Sequence, residues 1–155
     1  GYKGLGDLFV FVFFGLVGVL GTYFLFVKDF SLSALLPAIT VGLFSVAVLN
    51  LNNMRDYEND RKSGKNTLVV KIGLNRAKNY HITIILIGIL SALFYVIQHD
   101  FKIINLLFIL SFIPFVIHLK KVIGFKENKA FDPELKKIAL STFLFSILFW
   151  ISLMN

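Results

Sequence analysis

The 155-residue sequence predicts an all-α membrane protein with five transmembrane helices. Three observations carry that prediction. Hydrophobic residues make up 57% of the chain and mean hydropathy is +0.79, whereas a soluble domain holds about 45–50% apolar residues. Five apolar runs, Leu8–Val27, Leu32–Leu51, Ile82–Ile97, Ile103–Leu119 and Ile138–Met154, contain no Asp, Glu, Lys or Arg. None of them alternates with period two, which argues against an outer-membrane barrel.

Each run has its own character. In the first, Gly15, Gly18 and Gly21 recur every three residues and predict a smooth stripe that lets a neighbouring helix approach. The second and fourth contain Pro37 and Pro114, each predicted to remove a backbone donor and kink its helix. The third has 16 residues, short of the ~17–25 a crossing helix needs, so it borrows Tyr80 and His81. Lipid contact and helix packing account for most of the 18 Phe residues, and the wall of a tunnel for a polyisoprenoid tail would use the same residue type.

Basic residues set the orientation. Connections on one side, Gly1–Asp7, Asn52–His81 and Lys120–Lys137, hold fourteen Lys and Arg, against two on the other. The first side is therefore predicted to be cytoplasmic. The +7 charge then reflects contact with anionic headgroups, and no nucleic-acid partner is expected. The chain has no Cys, which excludes disulfides and thiolate metal sites. His81, His99 and His118 form no metal-ligand spacing and are read as interfacial residues. Gly64-Lys65-Asn66-Thr67 lacks the second glycine and the preceding strand of a phosphate-binding loop.

Residues 1–155 read as one transmembrane helical unit, with 52–81 as a motif and capping segment on the cytoplasmic side. Beginning at Gly1 without Met or a basic n-region, and so close to a membrane span, the chain reads as a piece of something longer.

The chemistry concentrates between Asn50 and Gly73, where three acidic and five basic residues adjoin an apolar run. If the second helix continues through Arg61, then Asn52, Asn53, Asp56, Asn59 and Asp60 fall within about 60° of one line. Asp56 and Asp60, at i and i+4, are spaced to flank one hard cation, and oxygen ligands favour Mg²⁺. Gly64 is predicted to end the helix and Asn66 or Thr67 to cap the next. Beyond it, Leu68, Val69, Ile72 and Ala77 among Lys71, Arg76 and Lys78 suggest an amphipathic segment lying over the polar mouth. Lys65, released by Gly64, and Arg55, on the rim of the acidic face, are plausible donors to phosphate oxygens.

The pattern Asn52-Asn53-x-Arg55-Asp56-x-x-x-Asp60-x-x-x-Gly64-Lys65-x-Thr67-Leu68 resembles the second aspartate-rich motif of the UbiA superfamily of intramembrane aromatic prenyltransferases. With Gly4-Leu5-Gly6-Asp7 before a Phe-rich span, it is most similar to the branch that prenylates 1,4-dihydroxy-2-naphthoate on the way to menaquinone. The resemblance implies a nine-helix bundle of which these residues supply the C-terminal part, helices five to nine. It implies a polyprenyl diphosphate as donor, the naphthoate as acceptor, Mg²⁺ as cofactor and a bacterial inner-membrane location. It further implies Asp56 and Asp60 as catalytic metal ligands, with Asn52, Asn53, Arg55, Arg61 and Lys65 binding the diphosphate.

A first acidic motif, of the Asn-Asp-x-x-Asp kind, is absent from these residues, so the piece alone is expected to be inactive. Tyr2, Lys3 and Asp7 are expected to help hold the aromatic acceptor. Alternatives are another acceptor (4-hydroxybenzoate, homogentisate, haem or a chlorophyllide), a membrane cation transporter, or a structural subunit.

Overall fold

The structure, a computed structural model, describes residues 4–99, 102–124 and 131–154. Five helices are long and apolar enough to cross a membrane: α1 (Gly6–Val27), α2 (Leu35–Arg55), α5 (Leu74–Ile97), α6 (Ile103–Gly124) and α7 (Asp132–Leu153). Two short helices, α3 (Tyr57–Lys62) and α4 (Leu68–Ile72), lie between α2 and α5. The described residues contain no strand.

The five predicted spans are present, but with different ends. The third begins at Leu74, eight residues before its apolar run, because Gly73 at φ +79° sets a new helix start. Ala77 and Lys78, read as part of a surface segment, thus belong to a long helix. The last begins at Asp132, with Pro133 in its first turn where the missing N–H costs nothing. Pro37 likewise falls in the first turn of α2, so the predicted kink there does not arise. Pro114 lies where α6 changes from 3₁₀ (Ile103–Ser111) to α (Phe112–Gly124) geometry. Phe11–Gly21 of α1 runs as a π-helix, which takes glycines three apart off one line.

Without water to drive helices together, a membrane bundle relies on close packing and interhelical hydrogen bonds. α2 is the hub, packed on α1, α5 and α7. Only Gly15 of the predicted stripe serves α1 here. A Cβ on Gly15 would fall 2.7 Å from both Ala38 O and Gly42 Cα, so the two backbones touch. On the other side, Phe44 lies over Gly88, where a Cβ would come 2.7 Å from its ring. Thr40 Oγ1 donates to Gly88 O at 3.1 Å, and Ser91 Oγ donates to Leu36 O at 2.9 Å, tying α2 to α5.

The phenylalanines divide between two tasks. Phe44, Phe108, Phe112, Phe115, Phe145 and Phe149 form the core between α2, α6 and α7, with Phe44 and Phe115 centroids 4.3 Å apart. Each such ring pair adds about 0.5–1.5 kcal/mol beyond the area it buries. Phe9, Phe13, Phe14, Phe26 and Phe143 are exposed.

Candidate functional site

The end of α2 stays helical until Asp56, whose φ of −88° and ψ of 5° leave the helical region before α3 restarts at Tyr57. The single helix expected through Arg61 is therefore two segments. Asp56 N–H still donates to Asn52 O at 3.0 Å and Asp60 N–H to Asp56 O at 2.8 Å, so the ladder bends without breaking.

Gly64 ends α3 as predicted, at φ +71°. A Cβ there would meet nothing within 4 Å, so the requirement is conformational and not one of space. The reversal carries Lys65 back over the acidic segment, where its Nζ donates to Asp60 Oδ1 at 2.9 Å. Of the two candidate caps, Thr67 takes the role: its Oγ1 accepts from Val70 N–H at 3.2 Å and starts α4. α4 then packs against α2, α3 and the start of α5, with Val69 fully buried.

The two carboxylates have different surroundings. Asp56, with a third of its side chain exposed, accepts from Arg55 Nε and Nη2, both at 2.9 Å, and from Asn52 Nδ2 at 3.3 Å. The Arg55 guanidinium holds the Asp56 carboxyl below its usual range, with the Lys65 charge adding to the effect. Asp60 is only 6% exposed and meets Lys65. Arg55 Nη2 also donates to Asn52 Oδ1 at 2.8 Å, and its Nη1 reaches Asp132 Oδ1 of α7 at 3.2 Å. Asn52, Arg55 and Asp56 thus form one network, and Asp60 with Lys65 a second. Asn53 is buried, while Asn59 and Arg61 are exposed.

Below Asn52 lies an apolar cleft of about 410 Å³ between α1, α2 and α7, lined by Val10, Phe14, Ser45, Leu49, Leu135 and Thr142 among others. Asn52, which is bonded to Arg55 and Asp56, thus joins a charged network to an apolar trough. Among the described residues no group of three or more His, Asp or Glu could hold a metal ion. Carboxylate oxygens are the donor type that a hard cation takes, with its remaining oxygens from water and phosphate. Arg55 and Lys65 already balance both charges, so an entering cation must share or displace them.

At the other end of the reading, Asp7 is buried in α1 and accepts a hydrogen bond from the Tyr80 hydroxyl. Its Oδ2 has no partner among the described residues. Tyr2 and Lys3 lie outside them.

One charged cluster escaped the sequence reading. His81 and His118, read as interfacial, are 0% and 1% exposed and face each other with Nε2···Nε2 at 2.8 Å. His118 Nδ1 lies 3.0 Å from Oε2 of Glu134, itself 1% exposed. The carboxylate needs a donor, so His118 carries its proton on Nδ1 and accepts at Nε2 from His81 Nε2–H. That leaves His81 Nδ1 as an acceptor, and this atom has no partner. Lys121 and Lys137 complete the cluster at Glu134 Oε1, at 3.3 and 2.5 Å. His99 alone is exposed, bonded to Tyr95 O.

The chain is 38% identical over 154 residues to a 1,4-dihydroxy-2-naphthoate octaprenyltransferase of Haemophilus influenzae, covering 99% of the chain and 50% of that protein. It is 34% identical over 149 residues to the Escherichia coli protein of the same name, covering 96% of the chain and 48% of that protein. The human UbiA prenyltransferase domain-containing protein 1 is 39% identical over 72 residues, 46% of the chain and 21% of that protein. The chain thus spans about half the length of the two bacterial relatives. No solved structure gives a significant match. Residues 1–147 match the UbiA prenyltransferase family, and the chain belongs to that family.

Proposed function

We propose that this chain supplies one of the two acidic diphosphate-binding motifs of an enzyme that transfers a polyprenyl group from polyprenyl diphosphate to 1,4-dihydroxy-2-naphthoate, giving the quinol form of demethylmenaquinone. The single observation that carries the reading is that the Asn52–Arg55–Asp56 network adjoins an apolar cleft at Asn52. An allylic diphosphate has the same two-part character. The names of the bacterial relatives supply the acceptor.

In this reading Asp56 and Asp60 would hold Mg²⁺ by their carboxylate oxygens. Bound there, the ion would offset the negative charge that collects on the departing diphosphate. Arg55 and Lys65 turn from the carboxylates to the phosphate oxygens, giving charge-assisted hydrogen bonds as that charge develops. Asn52 and Asn53 orient the diphosphate, and Arg61, exposed on α3, draws it in. The C–O bond breaks with its electron pair leaving on the diphosphate, and the allylic cation is attacked by the ring carbon that bears the carboxylate. A C–C bond forms there, and CO₂ departs, returning its bonding pair to the ring. The apolar walls between α1, α2 and α7 keep water from capturing the cation. Asp7 Oδ2 offers an acceptor to a hydroxyl of the naphthoate.

These residues supply one acidic motif, and the reaction needs a second set of carboxylates across the cavity. Activity therefore belongs to a nine-helix protein in which residues 1–155 form one unit at the C-terminal end. The segment 52–81 faces the cytoplasm of a bacterial inner membrane.

The test is an acceptor competition in membranes containing the full-length enzyme, with one labelled polyprenyl diphosphate and carboxyl-labelled acceptors. Product with the naphthoate alone, accompanied by labelled CO₂, is expected. Turnover with 4-hydroxybenzoate or homogentisate alone, or label retained in the product, would overturn the assignment.

A further inference from the structure

We propose that the groove between α6 and α7 is a binding site for an anionic phospholipid, with the lipid phosphate on Lys121 and Lys137 and an acyl chain along the groove. The groove holds about 430 Å³, and its walls are Pro114, Ile117, Leu140, Ser141 and Leu144. Lys137, Ser141 and Leu144 recur at i, i+4 and i+7 on one face of α7. They run about 10 Å along the helix axis, well within one leaflet of a ~30 Å hydrocarbon core.

The upper end of the groove is built and not merely basic. Glu134 lines it and is buried. Lys121 and Lys137 both converge on its Oε1, while His118, steadied by His81, holds the other oxygen. The buried relay thus fixes the carboxylate that gathers two ammonium groups at one point.

Charge decides the occupant. One carboxylate with two lysines leaves a net charge of +1, and His118 already satisfies the oxygen that the lysines do not. The second lysine is therefore surplus to neutralising Glu134. Both lysine side chains are nearly half exposed, at 46% and 48%, so each ammonium has donors facing outward. A phosphodiester carries the single negative charge that matches. A zwitterionic phosphocholine headgroup brings its own cation and gains less. The apolar walls are open to a chain, with Ile117 50% and Leu140 54% exposed. Basic pockets between spanning helices are suited to anionic headgroups for these reasons.

The experiment is thermal unfolding of the full-length protein in neutral detergent with added phosphatidylglycerol or phosphatidylcholine. A saturable rise in Tm with phosphatidylglycerol alone is expected, shrinking at 1 M salt. Lys121→Gln leaves Glu134 paired with Lys137 and His118, so the fold is kept. It should weaken the apparent phosphatidylglycerol affinity about fivefold, the effect of one lysine near a headgroup. Leu144→Trp, which fills the groove, should reduce the shift with the lysines intact, and Lys121→Arg should retain it. An equal rise with phosphatidylcholine, an undiminished response in Lys121→Gln, or the same rise produced by geranyl diphosphate without lipid would overturn the proposal.

Discussion

Asp56 and Glu134 are carboxylates held by cations at the same end of the bundle, yet Asp56 keeps 33% of its side chain exposed and Glu134 only 2%. The partners of Asp56 come mostly from its own helix end, from Arg55 and Asn52. Those of Glu134 come from α6 and from its own first turn, with His81 of α5 behind. Local, half-exposed partners can be traded for a ligand. The histidines behind Glu134, drawn from separate helices and closed from water, hold those helices in register instead, while its two lysines stay open to solvent. The same chemistry therefore yields an exchangeable site in one place and a structural joint in the other.

That contrast can be broken in order of size. Asp56→Asn in the full-length enzyme should lower prenyl transfer by about 10²–10³-fold, the usual loss when the hold on a cation that offsets developing negative charge is weakened. Its unfolding midpoint should barely move. His118→Leu should do the reverse, destabilising the protein in detergent by about 3 kcal/mol because Glu134 is left buried with a bare oxygen. Activity per folded molecule should survive. Equal effects of both substitutions on rate would erase the distinction between the two regions.

Lys65→Met removes the cation on Asp60 and should raise KM for the diphosphate about tenfold, as expected for one charge-assisted hydrogen bond. Titration with each acceptor fixed checks that value. Asp132→Asn should cost less than about 1 kcal/mol, since the Arg55–Asp132 pair is open to solvent. A larger cost would mean that α7 anchors the motif.

The pH dependence sharpens the same point. The folded-state pKa of Asp56 lies below the ordinary 3.8 because Arg55 bonds its carboxylate. The stabilisation from that pair is thus fully present above the unfolded-state pKa and is lost only as pH falls through the lower folded value. Asp56 stays ionised throughout the neutral and mildly acidic range. Carbon-13 NMR of labelled aspartate should find a carboxyl titrating below 3.8 that moves up toward it in Arg55→Met.

The acidic motif was legible because its residues are neighbours in sequence: helical periodicity alone groups Asn52, Asp56 and Asp60, and Gly64 announces the turn that returns Lys65. The π-helical stretch of α1 was not, since no local residue marks it, and the reading of Gly18 and Gly21 as a contact stripe failed with it. Pro37 misled for a related reason. Its effect depends on where the helix starts, and the apolar run placed that start at Leu32 and not Leu35. The His81–His118–Glu134 relay joins residues 37 and 16 positions apart, beyond any periodic signal. A clue existed: two histidines and a glutamate each lie at the same end of consecutive antiparallel spans, where the topology brings them level.

The central claim is that Asp56 and Asp60 together hold the cation that receives the diphosphate. Electron paramagnetic resonance of Mn²⁺ replacing Mg²⁺, in the full-length enzyme with a non-reactive prenyl thiodiphosphate, addresses it directly. A bound Mn²⁺ signal coupled to phosphorus should appear in the wild type, persist in His118→Leu and fall sharply when both aspartates are changed to Asn. An undiminished signal in that double variant would place the cation elsewhere and contradict the account.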